Sequence, residues 1–179
     1  MPPCPVMLAA VTRRTALRLD RFLPFRLNRL SAEVSERLAA VYRGPAGLEV
    51  AEWRVLVTVA EHPGCAAQDV VLSTRMHKTR VSRAVAALLA RRLLRRAPSP
   101  EDARAARLAL TAAGERLYEE LVPLALAQER ELLAGLEPAG RRAFEHALGR
   151  LEESLGLRPE RGPRRAARGG LPAGDQGSR

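Results

Sequence analysis

The chain has 179 residues, 46% of them apolar but only 3% aromatic, and a formal net charge of +10. That length suits one domain with a real core, and a mixture rich in Leu, Ala, Arg and Glu but poor in aromatics favours helices over a β-sandwich. Two cysteines, Cys4 and Cys65, exclude a disulfide framework, and the lack of ~18 uninterrupted apolar residues argues against a membrane helix, so a cytoplasmic protein with no membrane partner is expected.

Residues 1–18, with three prolines in the first five positions, read as a poorly ordered leader. Its apolar run from Val6 to Val11 is too short for a signal sequence and lacks a basic lead-in. A long helix is expected from about Leu19 to Tyr42, with Phe22, Leu23, Leu27, Leu30, Val34, Leu38 and Val41 on one face. Pro24 is tolerable only near its start, where no internal hydrogen bond is lost, and the segment RGPAG is expected to stop it. Ala51 to Glu61 reads as a second helix with Trp53, Val57 and Ala60 inward. HPGC breaks the pattern, and Ala67 to Ser73 suits a short third helix.

Positive charge concentrates in the next segment. Residues 75–107 hold ten basic and two acidic side chains, while residues 31–74 and 108–155 are net acidic. A cationic segment between acidic ones is the footprint of a polyanionic partner. Within it, MHKTRVSRAV opens a helix in which Val81, Ala84, Val85, Leu88 and Leu89 form one apolar stripe. Thr79, Ser82, Arg83 and Ala86 lie opposite, with Arg80 at the margin. Short helix, break and amphipathic helix together form the pattern of a helix-turn-helix.

After Arg92 the period shortens. Leu93–Ala97 and Ala105–Leu110 are strand candidates joined by PSPEDAR, the hairpin that would make a wing. Thr111 offers an N-cap hydroxyl for a helix to about Leu133 with Leu117, Leu121 and Leu124 on its face. A last helix starts at Pro138 and contains Phe144, Leu148, Leu151 and Leu155, and the Arg/Gly/Pro-rich residues 156–179 read as a disordered tail.

With these elements in place, the sequence resembles the multiple antibiotic resistance regulator (MarR) family of winged-helix transcription factors. The resemblance is carried by GLEVAEWRVLVTVAEHPG, MHKTRVSRAVAALL, DARAARLALT and TAAGERLYEEL, in that order, across about Leu19 to Leu155. It implies a mainly α fold with a small β-wing. A winged helix-turn-helix over residues 48–110 would be flanked by dimerisation helices at 19–43 and 111–155. It also implies that the helix around Thr79 to Leu89 enters the DNA major groove and that Arg83 touches DNA. Arg104 would reach the minor groove from the wing while Asp102 braces it. Relatives often sense small phenolic or other aromatic ligands, which then weaken DNA binding.

This sequence departs from the family pattern at three places. Ala103 replaces one wing arginine, Arg92 stands where Gly is usual, and His77 stands where an aspartate often caps the recognition helix. For Arg92, a position needing φ > 0 would cost about 1 kcal/mol or more. For His77, Thr79 or an altered helix start would have to supply the cap.

DNA is read through base-edge hydrogen bonds, with phosphate contacts setting register. Short polar and long cationic side chains at a helix start, above an apolar stripe, meet that demand. Lys78, Thr79, Arg80, Ser82 and Arg83 supply them, with Arg75, Arg104 and Arg107 as further DNA-contact candidates and Arg95 as another cation near the wing. The plainer alternative is a solvated charge stripe on an interaction helix. His62, His77 and His146 are too scattered for a zinc site, and no nucleophile elbow or oxyanion loop is present. No enzyme, metal or cofactor is therefore expected. Cys65 lies ahead of the third helix, where a helix start can lower a thiol pKa, but a passive packing role is favoured because no partner motif accompanies it. The sequence is best read as a homodimeric, ligand-responsive repressor on a pseudo-palindromic operator in double-stranded DNA. A winged-helix protein-interaction module without specific DNA binding is the alternative.

Overall fold

The computed structural model describes residues 17–98 and 106–157. Its elements in chain order are α1 (Leu23–Ala46), α2 (Val50–Glu61), β1 (Cys65–Ala66), α3 (Ala67–Thr74), α4 (Lys78–Ala90), β2 (Leu94–Pro98), β3 (Ala106–Leu110), α5 (Ala112–Leu133) and α6 (Pro138–Ser154). Strands pair antiparallel in the order β1-β3-β2, with Cys65 opposite Leu108 and Leu94 opposite Leu110. Six helices with a small three-stranded sheet make the winged helix-turn-helix architecture expected from the sequence.

α1 begins four residues later than its apolar pattern suggests, because Pro24 belongs in the first turn and residues 19–21 form a turn ahead of it. At the other end the helix passes through Pro45. A proline there forfeits one intrahelical N–H bond in the last turn, a smaller loss than in a helix interior. The true stop is Gly47, left-handed at φ 58°, whose N–H reaches Arg43 O at 2.9 Å while Leu48 N reaches Tyr42 O at 3.2 Å. Glycine takes that conformation without a Cβ penalty.

The core gathers the second half of α1, the apolar sides of α2, α3 and α4, the strands, and Leu121 of α5. Tyr42 stacks on Trp53 with ring centroids 5.1 Å apart and planes 13° from parallel. Val81, Ala84, Val85 and Leu88 are buried as their spacing requires, while Leu89 is half-buried. In α2 the inward residues are Ala51, Trp53, Val55, Leu56, Thr58 and Val59; Val57 and Ala60 are only half-buried. A helix enclosed by neighbours on several sides buries more than one stripe, so periodicity alone misassigns its inward face.

β1 lies where the sequence shows only a break. Two residues carry no strand period of their own, and they become a strand only because β3 pairs with them. The last helix agrees with expectation except that Leu155 lies one residue beyond its end.

Thr111 joins the wing to α5. Its Oγ1 accepts from Gly114 N at 3.1 Å and donates to Arg92 O at 2.6 Å, while its N–H donates to Leu93 O at 3.1 Å. Gly114 is buried against this junction, and a Cβ there would overlap the backbone oxygen of Leu93. Gly114→Ala is expected to destabilise the fold by about 3 kcal/mol, the upper part of the range for overpacking. Urea denaturation at equal protein concentration should show the midpoint falling with the slope unchanged.

Candidate nucleic-acid interface

The turn between α3 and α4 determines how the cationic helix leaves the core. Thr74 Oγ1 donates to Val70 O at 2.6 Å at the end of α3, Arg75 turns the chain in the left-handed region at φ 54°, and Met76 anchors the turn in the core at 7% exposure. His77 then caps α4 itself, its Nδ1 accepting from Thr79 N at 3.3 Å. That bond needs the neutral tautomer with the proton on Nε2. The cap thus comes from His77, and neither Thr79 nor a shifted helix start is needed.

Above the buried stripe, Lys78, Thr79, Arg80, Ser82 and Arg83 are all exposed, as is Arg75 in the preceding turn. Among the described residues, none of Arg75, Lys78, Arg80 and Arg83 has an acidic side chain within ion-pair distance. Pairs occur elsewhere: Arg37–Glu33 and Arg43–Glu36 on α1, and Arg141–Glu145 and Arg150–Glu153 on α6, all between 2.8 and 3.0 Å. The Arg43 guanidinium beside Glu36 holds that carboxyl below its ordinary range, first by hydrogen bonding and then by charge. A merely solvated face would mix signs in this way. The α4 face does not.

Arg96 is a further cation at this surface that no local pattern marks. β2 brings it to a groove of about 150 Å³ between α3, α4 and the sheet, lined also by Val71, Lys78, Ser82 and Val85. Only the fold-back of the wing makes Arg96 a neighbour of Lys78, so the sequence around it carries no sign of the role. Arg107 is placed differently from the other cations. It is half-buried, and its guanidinium donates to Gly64 O at 3.3 Å across the edge where β1 meets β3. Asp102 and Arg104 lie outside the described residues.

Arg92 has φ 56°, so the position that usually holds Gly does require the left-handed region. The Arg92 carbonyl accepts the Thr111 hydroxyl, which holds this backbone where a Cβ is unfavourable. Arg75 and Arg92 are the two non-glycine residues with positive φ among those described, and they bracket α4.

Cys65 is buried at 5% exposure, and burial, followed by the nearby Asp69 carboxylate, pushes its thiol up to about 11. The helix start at α3 does not activate it, because desolvation of the thiolate prevails. The thiol is therefore neutral at pH 7, and iodoacetamide is expected to leave it unmodified in the native protein while alkylating it after unfolding. Mass spectrometry of the two samples checks this. A raised folded pKa also means that this thiol's contribution to stability is intact below the unfolded value of ~8.5 and is lost as pH rises towards 11.

No group of His, Cys, Asp and Glu among the described residues could hold a metal ion, and no described helix is long and apolar enough to cross a membrane.

Residues 46–105 match the model of the MarR family. No curated protein matches the chain in sequence. Among solved structures, a MarR/EmrR family transcriptional regulator from Acinetobacter sp. ADP1 shares 24% identity with a TM-score of 0.70, covering 79% of this chain and all of its own. BpsR of Bordetella bronchiseptica, whose DNA binding is regulated by 6-hydroxynicotinic acid, is 29% identical with a TM-score of 0.60, over 71% of this chain and 98% of its own. Sco3205, a MarR family transcriptional regulator from Streptomyces coelicolor solved in complex with DNA, is 22% identical with a TM-score of 0.66, over 82% and 93% respectively. The helix-turn-helix and the cationic helix lie within the segment that matches the MarR family model, and the chain has the fold of the MarR-family transcriptional regulators.

Proposed function

We propose that the protein is a sequence-specific, double-stranded DNA-binding transcriptional regulator that acts as a homodimer. The observation that carries this reading is the exposed face of α4, where Lys78, Thr79, Arg80, Ser82 and Arg83 stand together above a buried stripe with no acidic partner among the described residues. Arginine forks can grip guanine edges or phosphates with two hydrogen bonds. α4 inserts into the major groove, Arg83 contacts DNA there, and Arg75 meets the backbone. Arg104 reaches the minor groove from the wing, with Asp102 bracing it.

Dimerisation is supported by surface that the single chain leaves uncovered. Leu23, Leu27 and Leu30 of α1 and Phe144, Leu148 and Leu151 of α6 are all exposed, and α6 buries no residue of its own. Leu23, Leu27, Leu30 and Phe144 border one open concavity of about 1040 Å³. A patch of this kind on a helical protein marks an association site, and the resemblance implies that a second copy covers it. Two copies related by a two-fold axis would read half-sites about one DNA turn apart, so the operator is an imperfect palindrome.

We further infer a repressor released by a small aromatic ligand; support for a ligand response comes from BpsR, whose DNA binding is regulated by 6-hydroxynicotinic acid. The protein should be used to select DNA from a random pool, and its affinity for the winning duplex then compared with a shuffled one across a salt series. Preference for the selected sequence together with steep salt dependence supports the reading. Salt dependence with equal affinity for the shuffled duplex would favour the interaction-module alternative.

A further inference from the structure

Three helix ends converge on one side chain at the back of the cationic helix. Arg91, the residue that closes α4, donates from Nη2 to Ala46 O at 2.6 Å and from Nη1 to Gly47 O at 3.1 Å. These carbonyls stand at the negative end of α1, and Ala46 O is among the acceptors that a helix end leaves without an intrahelical partner. Arg91 Nη1 also lies 3.9 Å from Glu52 Oε2, which already accepts Glu49 N at 2.9 Å where α2 begins. Gripping two successive carbonyls fixes the plane of the guanidinium as well as its position.

Packing makes this contact distinctive. α4 rests on α2, α3 and β2, whereas α1 rests mainly on α5 and α2. Among the described residues no other hydrogen bond joins α4 to α1. α1 also carries the exposed apolar residues Leu23, Leu27 and Leu30 at its far end.

We propose that Arg91 is a positioning residue that fixes the angle between α4 and α1, and thereby the separation at which two copies present their α4 helices to DNA. The inference rests on the DNA-reading homodimer proposed above. The lever is long enough to matter: a 13-residue helix spans about 20 Å, so a tilt of roughly 10° at its closing end moves its reading end by about 3.4 Å, one base-pair step. Loss of the Arg91 grip loosens the spacing requirement without removing any DNA contact.

The test uses the full chain as wild type, Arg91→Met and Arg91→Lys. Each is titrated against the selected operator and against versions whose half-site separation is lengthened or shortened by one or two base pairs. Wild type is expected to bind one spacing best. Arg91→Met should reduce the penalty for wrong spacings by about tenfold, with unchanged dimer mass, helical content and salt slope. Arg91→Lys keeps the charge but not the planar fork, so it should shift the profile part of the way. A wild-type spacing profile in either variant would overturn the proposal. So would uniformly weaker binding at every spacing with a shallower salt slope, which would make Arg91 a phosphate contact. A wild-type protein that prefers no DNA sequence would remove the underlying DNA-binding reading, and this inference with it.

Discussion

Leu148→Asp is expected to convert the proposed homodimer to monomers while leaving the fold of each chain intact. Leu148 is 42% exposed in the single chain and contributes nothing to the core around Tyr42, Trp53 and Leu88. An aspartate there costs little unless a second copy buries the position. If it does, burial of the remaining 42% of one leucine in each of two copies is worth about 1.3–2.5 kcal/mol, and an unpaired aspartate in each place costs about 1–3 kcal/mol more, so the dimer dissociation constant rises by at least about 10². Operator affinity falls with it, because one α4 alone presents a single half-site contact. Sedimentation equilibrium, circular dichroism and operator titration on one preparation check all three parts. A variant that stays dimeric would place the interface elsewhere.

Arg83→Ala carries the second large effect and acts on the exposed cationic face of α4, which is proposed to read DNA. The side chain is exposed, unpaired among the described residues and distant from the core stripe, so its removal should leave stability within about 0.5 kcal/mol of wild type. A lost bidentate base contact is worth about 1–3 kcal/mol, and the dimer loses two, giving at least about thirtyfold weaker operator binding. The distribution of the loss identifies the contact. Relaxed preference at one operator position with an unchanged salt slope indicates a base edge, whereas uniform weakening with a shallower slope indicates a phosphate. Wild-type affinity in the folded variant would remove Arg83 from the interface. Together the two variants separate dimerisation from DNA reading.

The fold is legible in the sequence where local chemistry is sufficient. Val81, Ala84, Val85 and Leu88 fall on one face of a 3.6-residue repeat, so the buried side of α4 and its exposed cationic side are both expected and both observed. Thr111 is recognisable as a cap because hydroxyl capping is a property of a few neighbouring residues. Local chemistry places the stop of α1 too early, because Gly44 and Pro45 look like breakers in sequence, while Gly47 is the residue that adopts positive φ. The cap at His77 escapes a sequence reading for a related reason: imidazole can accept a hydrogen bond, but only in the tautomer that the helix start selects.

What the sequence determined by itself is thus the set of short-range features: the order of helices, the apolar stripe of α4, the cationic residues opposite it and the hairpin after it. Each depends on spacings of a few residues and on side-chain type. Tertiary structure decided which of those cations share a surface. It brought Arg96 to the groove beside Lys78, turned Arg107 to the Gly64 carbonyl, buried Cys65 so that its thiol is inert, and closed Arg91 on the end of α1 some 45 residues earlier in the chain. The physical reason is range. Helical period and capping are set within a turn or two, whereas hydrogen bonds between distant backbone carbonyls and guanidinium groups, and the desolvation of a thiol, exist only after the core has packed.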